Sequence, residues 1–379
     1  MARTITTTES DLRVARASLD PYSLLVVMIV LVGNAAIAGV DIALVTLFPA
    51  LFVIVLWQRQ SVPSRELTRL LAIGALGLVL IFLSARIVPD YFPAYWLWSV
   101  KFLLLAILML FGPRPSWPVS NHQIFLGFCV FVIAFARVEE GRLYSFFGPN
   151  MLYRIYGLLF VLSVIYIVQN HVRQFPVYVA STALSAFVLV ATGSVGALVM
   201  FLIPVLLLLT VNRLQTRVLL MTAYFLVAAV LGYTVLNSDS SVVTRILSKF
   251  DNLLLSTRLI GWDAILSEPF AILGQTYEHY GSANIWRAFY EYPHNLIVEL
   301  YAFYGVIGVV VALCCLHTLI FYRPKMSVEY VAFVVVFLGA QLSGDLSDNY
   351  GAVVLGIVLF ARHWNEAHGL GHRFRRAQV

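Results

Sequence analysis

Within the run Tyr292-Pro293-His294-Asn295, the histidine is the side chain best suited to acid–base chemistry. Pro293 disfavours helix at the residue before it and is itself tolerated in a first helical turn, so His294 is expected at or near a helix start. The positive end of the helix dipole disfavours imidazolium there. The ring should be neutral near pH 7 and able to take a proton, a service typically worth about 10²–10⁴-fold as general base catalysis. The same helix end offers unpaired N–H groups that suit a diphosphate. The plainer reading of His294 is an interfacial residue hydrogen-bonded to a loop. Tyr301, Gly305 and Gly308 follow His294 by seven, eleven and fourteen residues. At 3.6 residues per turn they fall on nearly one face, and the glycine pair would let a neighbouring helix come close.

Upstream, Arg258 and Trp262 are four residues apart and share a face of an expected short helix. Ser256 or Thr257 can cap that helix and Pro269 ends it. Its apolar stripe is Leu259, Trp262 and Leu266, so it should lie on a membrane surface or over a cavity. Arginine suits a diphosphate because its fork binds two oxygens at once. Arg137, Arg142, Arg154, Arg245 and Arg287 are further candidates, each either an anion ligand or a solvated charge; Arg154 alone enters an apolar run. Asp345, Asp348 and Asn349 form an acidic turn that could accept hydrogen bonds from sugar hydroxyls or simply join two helices. Trp262, Trp286, Tyr277, Tyr280, Tyr290 and Tyr292 could stack on sugars, although interfacial anchoring is the default for such residues.

Other reactive side chains lack company. His368-x-x-x-His372 follows His363 in a polar tail with no third ligand, so neither a metal nor a cofactor is expected. His122, His171 and His317 have no evident partners. Cys129, Cys314 and Cys315 lie in apolar runs and read as small buried hydrophobes.

The elements that must position these residues are apolar. Of 379 residues, 61% are hydrophobic and 12% charged, and mean hydropathy is +0.88, far above the soluble norm. An all-α, polytopic membrane protein of about twelve spans is expected, at 22–40, 42–57, 67–84, 95–111, 122–137, 152–168, 175–191, 196–211, 218–235, 295–321, 328–343 and 350–364. No repeat or linker divides residues 1–379, so a single membrane domain is expected. The N-terminus is polar, with Arg3, Arg13 and Arg16, and no cleavage site follows the first run, which is expected to be retained.

One alternating set of loops carries Arg59, Arg65, Arg69, Arg114, Arg173, Arg213, Arg217, Arg323 and Lys325, together with Arg373, Arg375 and Arg376 at the C-terminus. The other carries Asp41, Asp90, Glu139, Glu140, Asp345 and Asp348. The basic set should be cytoplasmic, with both termini inside and His294 facing out. The net charge of +6 is scattered over these loops, which speaks for topology and against nucleic acid. One outer loop, 237–293, is long at 57 residues, and long ordered loops are usually functional.

His294-Asn295, nine residues, then Gly305-x-x-Gly308 resembles the signature of the O-antigen ligase and O-antigen polymerase superfamily. Arg258, Trp262, Pro269, Gly274 and the long preceding loop agree with that pattern, which covers roughly residues 190–320. The resemblance implies a metal-independent, inverting glycosyltransferase of the bacterial inner membrane, working at its periplasmic face among membrane lipids. It would move a glycan from an undecaprenyl-diphosphate carrier to a lipid-linked glycan (polymerase) or to lipid A-core (ligase). Carried onto this chain, His294 is the general base and Arg258 binds the diphosphate. Asn295, Arg154, Arg142, Arg287, Trp262, Tyr292, Asp345, Asp348 and Asn349 are candidate substrate contacts, and Gly305 and Gly308 are the structural motif. A polymerase is slightly favoured by the Tyr-Pro-His-Asn run and the Gly-Asp-x-x-Asp-Asn turn, and would admit a chain-length regulator as partner. One departure stands: the family's arginine in a Ser-Arg-Gly turn is replaced in Thr192-Gly193-Ser194-Val195-Gly196 by Val195. The alternative from another class is a polysaccharide or lipid-linked sugar transporter, for which Lys101 inside the fourth span is the one favourable charge.

Overall fold

The computed structural model describes residues 19–33, 35–37, 40–58, 92–113, 116–139, 142–168, 175–208, 257–276, 279, 295–322, 327–342 and 346–367. Of these residues 81% are helical. The eleven α-helices are α1 (Pro21–Val32), α2 (Phe48–Gln58), α3 (Phe92–Phe111), α4 (Val119–Ala134), α5 (Pro149–Val168), α6 (Phe175–Ala191), α7 (Val195–Leu208), α8 (Thr257–Ser267), α9 (Leu296–Phe321), α10 (Val328–Ala340) and α11 (Leu346–Ala367). Helices α5 and α9 are long and apolar enough to cross a membrane, and most of the others are shorter apolar helices. A helix lies at ten of the twelve expected apolar segments; the other two, 67–84 and 218–235, fall outside the described residues.

Two short hairpins correct the expectation of helix alone. The first run stops at Val32 rather than 40, and β1 (Ala36–Ile37) pairs antiparallel with β2 (Val40–Asp41) before a π-turn (Ala43–Leu47) leads into α2. The fifth run stops at Ala134, and β3 (Arg137–Glu139) pairs with β4 (Arg142–Tyr144). Ladders this short carry no usable period-2 signal, which is why a hydropathy reading runs straight through them.

Hydrogen bonds sort the helix termini into two ends of the bundle. At the Asp20 end, the Asp20 carboxylate caps α1 by accepting from Ser23 N at 3.1 Å and Ser23 Oγ at 2.6 Å. It also accepts from Ser116 Oγ at 2.6 Å, while Asn121 Nδ2 donates to the Asp20 carbonyl at 2.8 Å. Burial alone would raise the pKa of Asp20; the hydrogen bonds from Ser116 and Ser23 outweigh it and hold the group below its ordinary value. At the same end Arg362 of α11 reaches Glu329 of α10 at 2.5 Å and donates to the Met109 carbonyl of α3 at 2.9 Å. At the opposite, Asn295 end, Lys101 of α3 pairs with Asp41 and donates to the Gly33 carbonyl at 2.8 Å.

Between the ends, buried hydroxyls stitch helix to helix. Tyr156 donates to the Cys129 carbonyl at 2.6 Å, Tyr153 to Gly339 at 3.0 Å and Thr318 to Gly356 at 2.8 Å, tying α5 to α4, α5 to α10, and α9 to α11. Each such bond contributes about 1 kcal/mol net but would cost more if left unmade. His122, which the sequence leaves without partners, lies buried between Ser181 Oγ at 3.2 Å and Ser163 Oγ at 3.3 Å. Both hydroxyls donate to their own helix carbonyls, Val177 and Leu159. With the hydroxyls so directed, their oxygens are available to accept from an Nε2–H of His122. Cys129 and Cys315 are buried and Cys314 half-buried, all as free thiols.

Candidate functional site

The site is built on the first half of α9. Asn295 caps that helix from extended backbone: its side-chain oxygen accepts from Val298 N at 3.0 Å, the third helical position. Its amide nitrogen donates to the Gln341 carbonyl just past α10 at 3.3 Å, which fixes the mouth of α9 against the end of α10. His294 and Tyr292, immediately before this cap, lie outside the described residues, as do Arg245, Arg287 and Asp345.

Helix α9 is broken at Gly305, where φ is +53° and ψ −131°. In an unbroken helix the Val306 amide would bond to the Ala302 carbonyl. Here both turn to the loop after α8: Val306 N donates to the Ile272 carbonyl at 2.9 Å, and Gln275 N donates to the Ala302 carbonyl at 2.8 Å. The exchange leaves both freed groups satisfied, as buried backbone requires. It also demands glycine twice. A Cβ on Gly305 would stand 2.3 Å from the Ile272 carbonyl oxygen, and one on Gly274 (φ +77°) 2.0 Å from that of Phe303. Past the break, a Cβ on Gly308 would lie 1.9 Å from the Leu300 carbonyl oxygen of the same α9.

The expected face from His294 through Tyr301 to Gly308 is thereby corrected. The break interrupts the helical register, so Gly305 admits a loop and Gly308 admits the helix's own first half. The atoms nearest a Cβ at either glycine belong, among the described residues, to the loop 271–274 or to α9 itself. Two backbone hydrogen bonds thereby tie the loop after α8 to the break in α9.

Helix α8 starts at Thr257 and stops at Ser267, two residues before Pro269, as its sequence implies. Its buried side differs from the expected stripe. Ile265 is fully buried and Trp262 half-buried against the core, whereas Leu266 is 55% exposed. Docking is set by the Gly274 crossing and by Phe270, whose ring lies 5.4 Å from that of Tyr301. That crossing rotates the buried side by about one residue. Arg258 occupies the first turn of α8, with its side chain outside the described residues.

Several buried polar side chains collect at this end. Arg154, six residues into α5, is 3% exposed, and its guanidinium carbon lies 5.9 Å from the centre of the Tyr153 ring. Its neighbour Tyr153 donates to the Gly339 carbonyl and so ties this turn of α5 to the end of α10. Glu299, in the first turn of α9, is 5% exposed. Gln341 donates Nε2 to the Phe337 carbonyl at 2.8 Å, and its Oε1 is buried with no hydrogen-bond partner among the described residues. Asn349 is fully buried within α11. The acidic turn expected at 344–349 is thus corrected: helix begins at Leu346, and Asp348 and Asn349 belong to its first turn, with the Asp348 side chain outside the described residues.

Glu299 and Gln341 were not singled out from sequence, although an ionisable or amide side chain inside an otherwise apolar helix is itself a signal. Arg142, from β4, donates Nε to the Thr192 carbonyl at 3.4 Å. It thereby brings a guanidinium to the turn Thr192-Gly193-Ser194 that precedes Val195. Arg137 instead pairs with Glu139 at 2.8 Å on the surface, where both are well exposed and the pair is worth little. Among the described residues no group of three metal-ligating side chains occurs. No protein-family model, curated protein or solved structure matches the chain.

Proposed function

We propose that the chain is a polytopic glycosyltransferase of the bacterial inner membrane. It moves a glycan from undecaprenyl diphosphate to an acceptor sugar hydroxyl, and repeat-unit polymerisation is favoured over ligation to lipid A-core. The chain crosses the membrane about twelve times with both termini cytoplasmic, and the Asn295 end with the loop 237–293 faces the periplasm. The observation that carries the reading is the α9 exchange. Asn295, Gly305 and Gly308, three of the four motif residues, each do a backbone task that few other residue types could do. Non-helical backbone inside a membrane is tolerated only where protein or a wet cavity satisfies it, and this break is satisfied by the loop that follows Arg258 and Trp262.

In this reading His294 takes the proton of the acceptor hydroxyl as its oxygen attacks the anomeric carbon. The bond from that carbon to the diphosphate oxygen breaks, and the configuration inverts. Undecaprenyl diphosphate leaves with the electron pair, its charge stabilised by Arg258 and by Arg154 or Arg142. Arg154 is buried in the bundle, and Arg142 lies at the turn before Val195. On the acceptor side the reading assigns Trp262, together with Tyr292, Arg287, Asp345 and Asp348 on the strength of the sequence, while Asn295 and the fully buried Asn349 shape the helix ends behind them.

The transporter alternative draws on the same broken helix. Lys101, the charge that favoured it, is tied to Asp41 and the Gly33 carbonyl. The test is purified protein given lipid-linked repeats alone. Chain growth supports a polymerase, growth only after lipid A-core is added supports a ligase, and carrier movement without any new glycosidic bond sinks the transferase reading.

A further inference from the structure

At the Asp20 end, His317 of α9 and His363 of α11 face each other with ring centres 5.6 Å apart and planes inclined at 47°. A metal about 2.1 Å from one nitrogen of each ring lies roughly 3.2 Å from both ring centres. Two such rings are then about 5 Å apart at a tetrahedral angle and about 6.5 Å apart at a straight one. The observed spacing falls between those limits. Nδ1 of His317 is buried with no hydrogen-bond partner among the described residues, a state that buried polar atoms rarely hold without cause. Phe321 and Phe360 pack on the His317 ring at 4.9 and 5.0 Å, and Tyr322 lies 6.0 Å from His363. The two imidazoles thus sit within an aromatic surround contributed by both helices.

We propose that His317 and His363 are two ligands of a transition-metal site that clamps α9 to α11. The metal class is one that prefers imidazole nitrogen, such as Zn2+, Ni2+ or Cu2+. Among the described residues no third side chain joins them, so water completes the coordination. The site lies at the opposite end of α9 from Asn295 and takes no part in the proposed transfer chemistry. Its role is to fix the far half of the broken helix.

The test uses full-length, metal-stripped protein in detergent without a polyhistidine tag, titrated calorimetrically with Zn2+, and with Co2+ for its absorption spectrum. One saturable site is expected, weakened at least tenfold in both His317→Ala and His363→Ala. His317→Gln and His363→Gln keep the side-chain volume and serve if the alanine variants fail to fold. Zn2+ should raise the thermal midpoint of the wild type and leave that of the variants unchanged. The double variant His368→Ala/His372→Ala guards against capture by the tail. Absence of saturable binding overturns the proposal; so does binding that disappears with the tail pair yet persists in His317→Ala.

Discussion

Replacing Gly305 by alanine should unlatch the loop from α9. The native φ and ψ at this position are nearly reserved for glycine, and holding any other residue there costs roughly 1–3 kcal/mol. The new Cβ also meets three backbone atoms, Ile272 O at 2.3 Å, Ala271 O at 2.5 Å and Gly274 N at 2.5 Å, none of which can rotate away. The loop must therefore leave. Helix α9 can then close, with Val306 N returning to the Ala302 carbonyl, but Gln275 N and the Ile272 carbonyl lose their partners. Each costs about 1–3 kcal/mol wherever it stays buried. The two lost partners together cost roughly 2–6 kcal/mol, a large share of the ~5–15 kcal/mol that typically holds a domain together.

Amide hydrogen exchange separates these events. The Gln275 amide should lose protection by more than about a hundredfold, while the Val306 amide stays protected because its new acceptor is helical. If both amides keep wild-type protection and the thermal midpoint does not move, the exchange of partners at Ala302 and Val306 is not what holds the loop.

Other consequences are open to direct measurement. Asn295→Ala removes the cap and the link to Gln341 and should cost about 1–2 kcal/mol in chemical denaturation, whereas Asn295→Asp should retain most of the capping term. Lys101→Met leaves Asp41 without its counter-charge at a largely buried site and should destabilise by roughly 3–5 kcal/mol. Adding Asp41→Leu should recover much of that loss, and a double variant no better than the single one would contradict it. Asp20 is held below its ordinary pKa of 3.8 in the fold, so its contribution is complete above that value and fades as pH falls through the lower, folded one. The stability gap between wild type and Asp20→Asn should accordingly be constant near neutrality and narrow below about pH 4; a gap that widens on acidification would contradict the assignment.

The helices were legible because apolar runs near twenty residues leave little room for another reading, and the start of α9 was legible from the Pro-His-Asn sequence. What escaped was set by contacts across the chain. Nothing local in residues 137–144 announces a hairpin three residues wide. His122 finds its two serines on α5 and α6, 41 and 59 residues away. The helical face drawn from His294 to Gly308 assumed an unbroken register, and a single positive φ at Gly305 removed it. Leu266 fitted an amphipathic pattern as well as Ile265 did; only the docking of the Gly274 loop decides which of them is buried. Asn349 read as part of a polar turn because helix starts are polar too. Arg142 was one of several equivalent arginines until the fold brought it to the Thr192 turn.

The most direct measurement follows release of undecaprenyl diphosphate from a lipid-linked repeat by purified wild type and His294→Ala, at matched expression and thermal stability. The account predicts that transfer falls by about a hundredfold or more when the imidazole is lost. An undiminished rate in the folded variant would contradict it.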